Sequence, residues 1–173
     1  AEGERINAVL PVKEYDDAHY VFLATAMGTV KKTPLSAFSN QREKGIIAID
    51  LDEGDHLIGA AITDGHHDVM LFSDAGKAVR FEEEDVRSMG RATRGVRGMM
   101  LEPDQQVIAM LVAADESLSV LTATEHGFGK RTSAYEYRVS GRGGSGITSI
   151  ATRKRNGEVV ASFPVRATDQ IMM

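Results

Sequence analysis

Val21-Phe22-Leu23-Ala24-Thr25-Ala26-Met27-Gly28-Thr29-Val30-Lys31-Lys32 returns, altered but in phase, as Val69-Met70-Leu71-Phe72-Ser73-Asp74-Ala75-Gly76-Lys77-Ala78-Val79-Arg80 and again as Val120-Leu121-Thr122-Ala123-Thr124-Glu125-His126-Gly127-Phe128-Gly129-Lys130-Arg131. The glycines Gly28, Gly76 and Gly127 stand 48 and 51 residues apart, each after an apolar run and each with a basic residue four positions later. A period in this range predicts a propeller, a pinwheel or a related array, because one such repeat cannot bury its apolar face alone.

Outward from this stretch, each unit opens with a short apolar segment: Ile6 to Val12, Leu57 to Ile62, Val107 to Val112, and a fourth at Val159 to Val165. Polar turns follow, at Glu14-Tyr15-Asp16-Asp17, Thr63-Asp64-Gly65-His66 and Asp115-Glu116-Ser117. A last segment begins at Gly45, Gly95 and Gly146, again 50 and 51 residues apart. Short β-branched runs separated by Gly, Asp and Asn read as strands in hairpins. No 3.6-residue period persists, although Thr33 to Phe38 and Glu82 to Met89 have room for a helical turn. The expectation is an all-β chain of four-stranded, propeller-like blades at about 4–55, 56–105 and 106–157, with part of a fourth at 158–173. Asp169-Gln170-Ile171-Met172-Met173 aligns with the start of a second strand in that fourth unit, so the chain reads as a piece of a longer protein. Its unpaired outer strands would invite pairing with another copy.

Composition sets looser bounds. The chain has 173 residues and no cysteine, which removes disulfides and thiolate metal sites and fits a reducing, cytoplasmic setting. No apolar stretch approaches a membrane span, and no signal-peptide pattern opens the chain. A net charge of −5 argues, taken alone, against a nucleic-acid partner. The distribution of charge argues the other way. The stretches Gly28–Gly45, Gly76–Gly98 and Gly127–Gly146 hold 14 Lys/Arg against 6 Asp/Glu, whereas the remainder holds 6 against 19. Acids fill inter-blade turns such as Asp52-Glu53-Gly54-Asp55. If blades surround an axis, the basic stretches line one rim, a track for a polyanion.

The recurrent cations form columns: Lys32, Arg80 and Arg131 in one, Lys31 and Lys130 in a second where the middle unit has Val79. Arg42 and Lys44, then Arg91, Arg94 and Arg97, then Arg138 and Arg142 precede or flank the last strand, and Lys77 follows the middle turn glycine. Neighbouring glycines, as in Arg94-Gly95 and Arg142-Gly143-Gly144, allow close backbone approach to phosphate. Contacts of this kind give affinity without sequence reading. In flat alternation Lys32 would share a face with Val30, so the strand is expected to end there or to turn Lys32 outward at a bulge.

Catalytic readings are weak. Tyr15, Tyr20, Tyr135 and Tyr137 read as hairpin packing. His66-His67-Asp68 resembles a metal corner, but a tight turn explains it with no third ligand. Glu82-Glu83-Glu84-Asp85 reads as a solvated acidic loop, and Gly127-Phe128-Gly129-Lys130-Arg131-Thr132 lacks the spacing of a P-loop. No catalytic residue, metal or cofactor is assigned.

The stretches Gly127-Phe128-Gly129-Lys130-Arg131-Thr132, Met70-Leu71-Phe72-Ser73, Arg94-Gly95-Val96-Arg97-Gly98 and Asp169-Gln170-Ile171-Met172-Met173 resemble the C-terminal domain of DNA gyrase A, along essentially the whole chain. That resemblance implies a β-pinwheel with strands exchanged between neighbouring blades, about three of the family's six. It implies a rim that binds and bends double-stranded DNA for strand passage and negative supercoiling, in concert with the rest of gyrase A and with gyrase B. The family's catalytic tyrosine and ATPase site would lie outside this chain. The family's Gln-Arg-Arg-Gly-Gly-Lys-Gly motif is not present; Gln41-Arg42-Glu43-Lys44-Gly45 and Arg142-Gly143-Gly144-Ser145-Gly146 echo it in part. The related domain of topoisomerase IV is the nearest competitor. The reading from a different class is a protein-interaction platform, with Met99, Met100 and Leu101 or the acidic turns as the docking surface.

Overall fold

The computed structural model describes residues 5–113 and 117–172, so Asp115, Glu116 and Met173 of the segments above lie outside the described residues. Eleven strands are formed: β1 (Tyr20–Thr25), β2 (Thr29–Pro34), β3 (Leu57–Thr63), β4 (Asp68–Ser73), β5 (Lys77–Glu82), β6 (Val96–Arg97), β7 (Val107–Ala113), β8 (Ser119–Thr124), β9 (Gly129–Ser133), β10 (Ile147–Thr148) and β11 (Val159–Val165). The two expected helical turns are single 3₁₀ turns, at Leu35–Phe38 and Glu83–Asp85, and a third occurs at Ala134–Glu136. Among the described residues no helix is long and apolar enough to cross a membrane.

Each repeat supplies the central hairpin of one sheet and the outer strands of the sheet before it. The strand orders are β3-β1-β2-β6, β10-β5-β4-β7 and β11-β8-β9, all antiparallel. The hairpin β1–β2 thus lies between β3 and β6, both contributed by the second repeat. The exchange implied by the family resemblance is present, and each sheet crosses the expected blade boundaries by drawing on two consecutive repeats. The same irregularity recurs where each incoming strand pairs, at Ala24/Thr25, Phe72/Ser73 and Val159/Ala161.

Exchange also explains two expected strands that do not form. Segments 6–12 and 45–49 are without strand structure, because both edges of the first hairpin are already taken by β3 and β6. Ile6 and Val9 point into solvent, at 87% and 83% exposure. Leu10, Val12, Ala48 and Ile49 instead lie over Val21, Leu23 and Leu35 on the first sheet's outer face.

Strand alternation sends successive side chains to opposite neighbours. Phe22, Ala24 and Val30 of the first sheet meet Val69, Leu71, Val79 and Phe81 of the second, with Val86, Met99 and Val107 between them. Met70, Phe72 and Ala78 on the second sheet's other face meet Leu111, Val120, Ala134 and Tyr137. The Phe72 and Tyr137 rings pack edge to face, 5.7 Å between centroids. Burying each large apolar side chain contributes about 1.5–3 kcal/mol, so these inter-sheet clusters supply the cohesion that a single repeat lacks.

The turn glycines hold the exchanged strand down. Gly76 has φ +75°, and the carbonyl oxygen of Gly76 accepts from the N–H groups of Ser149 and Ile150, at 2.8 and 3.3 Å. A Cβ on Gly76 would stand 2.2 Å from the Ile150 oxygen. Gly28 has the same relation to Gly98 and Met99, with its Cβ position 2.7 Å from the Met99 oxygen.

Candidate nucleic-acid interface

After the second and third 3₁₀ turns the chain runs through a long basic loop and lays that loop on the preceding sheet. The Met89 N–H donates to the Lys32 oxygen at 2.9 Å, and the Ser140 N–H donates to the Arg80 oxygen at 2.7 Å, the same bond one repeat later. The short strands β6 and β10 then complete the outer edges at Thr29↔Arg97 and Lys77↔Thr148. The outermost layer of the first two sheets is therefore built from segments 88–97 and 140–148.

These segments are knit into one strip. Asp50 N–H donates to the Thr93 oxygen at 3.1 Å, and the Arg91 guanidinium donates to the Ile47 oxygen at 3.0 Å. Further along, Gly143 N–H donates to the Gly98 oxygen at 2.7 Å and Met100 N–H to the Gly144 oxygen at 2.9 Å. Arg142 crosses the seam, donating to the Asp85 and Arg97 oxygens at 2.9 and 3.1 Å. The strip thus brings together Arg91, Arg94, Arg97 and Arg142. Arg42, Lys44, Arg94, Arg97, Lys130, Arg131, Arg138 and Arg142 are exposed, while Arg91 and Lys77 are half-buried. Lys77 donates to the Thr148 hydroxyl at 3.1 Å.

Of the cations expected on the rim, Lys31 and Lys32 are inside the protein and Arg80 is half-buried. Strand β2 runs unbroken through Lys32 without a bulge, so Lys32 does share the face of Val30 and lies under the next blade. Lys32 Nζ donates to the Glu83 oxygen at 3.0 Å and stands 5.1 Å from the centre of the Tyr20 ring. Arg80 repeats the arrangement one blade on. It donates to the Ala134 oxygen at 2.8 Å and to the Tyr137 oxygen at 3.3 Å, and pairs with Asp68 at 2.6 Å. Glu83 and Ala134 are equivalent positions, seven residues after Gly76 and Gly127. This column therefore clasps each sheet to the 3₁₀ turn of the next. Arg131, its third member, is exposed, because no later 3₁₀ turn lies over it among the described residues.

Lys31 points the other way and is fully buried, donating to the carbonyls of Ala48 and Arg91, the first at 2.7 Å. Loss of water, with the Arg91 charge nearby, pushes its ammonium down to about 8 from 10.5, against a smaller opposing pull from Asp50. Its equivalent Lys130 is exposed, with Nζ 3.5 Å from the Ser149 oxygen.

Acid and base are less separated than the sequence implied. Arg94 pairs with Asp52 at 2.7 Å and Asp50 at 3.3 Å, so an acidic inter-blade turn reaches the strip. Glu83 in the expected solvated loop is fully buried. Met99 is also buried, at 2% exposure, and Leu101 packs against the inter-sheet core, which leaves Met100 alone as a surface residue of the supposed docking trio. Asp68 of the supposed metal corner is committed to Arg80.

Two features were missed from sequence. Arg87 is exposed at the start of the second loop. Arg153, Lys154 and Arg155 form an exposed turn, with Arg155 4.9 Å from the Phe128 ring centre. The signal was available: seven to nine residues after the last-strand glycine, sister repeats carry Asp52-Glu53-Gly54 and Glu102-Pro103-Asp104.

A family model described as DNA gyrase C-terminal domain, beta-propeller, matches residues 19–64, 67–114 and 119–166, one match for each repeat. The DNA gyrase A protein of Klebsiella oxytoca is 52% identical over 171 residues, covering 99% of this chain and 19% of that protein. Its Pseudomonas aeruginosa counterpart is 53% identical over 154 residues, covering 89% of this chain and 17% of that protein. Among solved structures, a DNA gyrase A C-terminal domain is 30% identical with a TM-score of 0.77, covering 89% of this chain and 51% of that one. A DNA topoisomerase IV C-terminal domain superposes with a TM-score of 0.90 at 24% identity, covering 95% of this chain and 52% of that one, a likeness of fold. The chain spans about one fifth of the length of the curated relatives it matches.

Proposed function

The chain belongs to the DNA gyrase C-terminal domain family, and on that ground we propose that it binds and bends duplex DNA along the strip formed by its outermost strands. The observation that carries this reading is the seam at which Arg97 and Arg142, from different repeats, meet with Gly143 and Gly144 beside them. Exposed guanidiniums on a strip whose backbone is held by its own hydrogen bonds are placed to contact phosphates, Arg94 by exchanging Asp50 and Asp52 for a phosphate. Bending 20–30 base pairs by 40–90° costs about 1–6 kcal/mol, and release of condensed counterions at several phosphates offsets it. Arg94, Arg97, Arg138 and Arg142 are the principal contacts, with Arg42, Lys44, Lys130 and Arg131 extending the track. Lys31, Lys32 and Arg80 hold the scaffold under it. Within a longer gyrase A protein, and through it gyrase B, the bent segment would be presented for strand passage in the bacterial cytoplasm, with the chemistry of cleavage performed elsewhere in gyrase A.

The test is the salt dependence of binding to a duplex of about 40 base pairs. Each phosphate contact contributes about 0.9 to the slope of log K against log salt. Changing Arg94, Arg97, Arg138 and Arg142 together to Ala should flatten that slope by about 3–4 while the circular dichroism spectrum is retained. An unchanged slope would remove the strip from the interface.

A further inference from the structure

The position seven residues after each turn glycine is buried in all three repeats, but only the middle repeat places a charge there. It holds Leu35, Glu83 and Ala134, at 4%, 0% and 1% exposure. Its N–H donates to the carbonyl of the residue nine before the glycine: His19 at 2.8 Å, His67 at 2.8 Å and Leu118 at 2.9 Å. The two positions are therefore neighbours in every blade. In the first repeat His19 pairs with Asp16 at 2.8 Å beside an aliphatic Leu35. In the third, Leu118 stands beside Ala134. Only in the middle repeat do an aspartate, a histidine and a glutamate converge, with one ligand atom each from Asp64, His67 and Glu83 all within 4.8 Å of one another.

Two of these groups lack partners that their burial demands. Glu83 Oε1 accepts from the Thr63 hydroxyl, but Oε2 is buried with no hydrogen-bond donor. Lys32 does not supply one, since its ammonium is directed to the Glu83 backbone oxygen. His67 Nδ1 lies 2.8 Å from Asp64 Oδ1, yet it too is buried without an aligned hydrogen bond. A carboxylate oxygen taken out of water with no donor is costly, and coordination to a cation is one of the few ways to retain it ionised. Asp64 itself is anchored, accepting from the His66 N–H at 3.0 Å.

We propose that Asp64, His67 and Glu83 form a site for a divalent transition-metal ion of the zinc class, joining the 64–67 turn to the 3₁₀ turn at Glu83–Asp85. One imidazole and two carboxylates suit a borderline cation such as zinc, with water in the remaining position. A hard cation such as magnesium prefers an all-oxygen shell. Closing the three ligand atoms around the ion draws them together from separations of up to 4.8 Å. The ion would staple the middle blade internally, in a place where the first blade has Leu35 beside the Asp16–His19 pair and the third has Leu118 beside Ala134.

The experiment is calorimetric titration of the chelator-treated 173-residue chain with zinc sulfate, with cobalt absorption as a second readout of the ligand set. One ion per chain is expected. Glu83→Leu, which copies Leu35, and His67→Leu, which copies Leu118, should each weaken uptake by more than about tenfold while His19→Leu leaves it unchanged. Zinc should also raise the melting temperature of the parent chain but not that of Glu83→Leu. Should Glu83→Leu lose its native circular dichroism, the isosteric Glu83→Gln gives the same reading. No uptake by the parent chain, or uptake indifferent to Glu83 and His67, overturns the assignment.

Discussion

Replacing the three hairpin-turn glycines by alanine, one at a time, should produce costs that follow the exchanged strand rather than the local turn. Gly28, Gly76 and Gly127 have nearly the same backbone, with φ +83°, +75° and +78°. Placing a Cβ in that left-handed region costs about 1–2 kcal/mol, and the penalty is common to all three. The surroundings differ. At Gly76 the new Cβ meets the Ile150 oxygen at 2.2 Å and Thr152 Cγ2 at 3.1 Å; at Gly28 it meets the Met99 oxygen at 2.7 Å; at Gly127 nothing lies within 4 Å. Relief at Gly76 requires the turn to retreat by about 1 Å from an ordinary contact distance, which breaks the bonds its oxygen accepts from Ser149 and Ile150. Two backbone hydrogen bonds at about 0.5–1.5 kcal/mol each, with overpacking at about 1–3 kcal/mol, overlap in origin and give a net excess of about 2–4 kcal/mol for Gly76→Ala over Gly127→Ala. Gly28→Ala should fall between them. Urea unfolding of the four proteins, read as midpoint at constant slope, measures the series. Equal losses at Gly76 and Gly127, within about 0.5 kcal/mol, would refute the claim that exchanged strands are clamped at these turns.

The cation column gives a second contrast. Arg80→Ala removes an interior pair and leaves Asp68 at 20% side-chain exposure without its partner, so it should lower stability by about 2–4 kcal/mol, whereas Arg131→Ala should stay within about 0.5 kcal/mol. In the DNA assay Arg131→Ala should lower affinity with the fold intact, whereas Arg80→Ala should lower it only by disturbing the loop seated on that strand. Lys31 predicts a pH dependence. Its charged form is penalised in the folded state, fully so below pH 8, and the penalty is relieved as pH rises from about 8 to 10.5. The parent chain should therefore gain up to about 3 kcal/mol relative to Lys31→Met across that interval, as read by urea unfolding of both proteins at each pH. A flat difference would mean that Lys31 stays charged when folded.

The repeat carried most of the fold in advance. Three glycine turns in phase, each between a β-branched run and a basic strand, correctly announced hairpins, because an αL turn residue and period-two patterning are local properties. Ownership of the outer strands came only through the family resemblance, which implied exchange, and not from the repeat pattern itself. Leu57 to Ile62 and Val96 to Arg97 look like members of their own repeat, yet both pair with the hairpin of the repeat before. Nothing in a strand's own pattern says which edge it joins. For the same reason Ile6 to Val12, which matches its sister segments in sequence, forms no strand beside a hairpin whose edges are filled. The sequence placed Arg94, Arg97 and Arg142 at the surface, where they are, because each sits on the exchanged outer layer itself; it placed Lys31, Lys32 and Arg80 there too, and these belong to the hairpin beneath.

That misreading has a general cause in arrays. Lys32, Arg80 and Arg131 recur in phase and occupy one register position, opposite Phe22, Met70 and Leu121. Lys32 is buried, Arg80 half-buried and Arg131 exposed. The difference does not come from the residue type, since Arg80 and Arg131 are both arginine, nor from the hairpin and its turn, which all three share. It comes from whether a following 3₁₀ turn is seated on the strand to accept the donated hydrogen bond, as the Glu83 and Ala134 carbonyls do. The burial of a repeat residue is thus a property of the interface between units. The clasp also couples blade cohesion to surface charge: each seated unit withdraws one cation from solvent and, through its loop, delivers others to the outer strip. Positive charge on that strip depends on the units being seated. Mutations that loosen a clasp, such as Arg80→Ala, should therefore disorganise the Arg97–Arg142 seam of the strip without touching its charges.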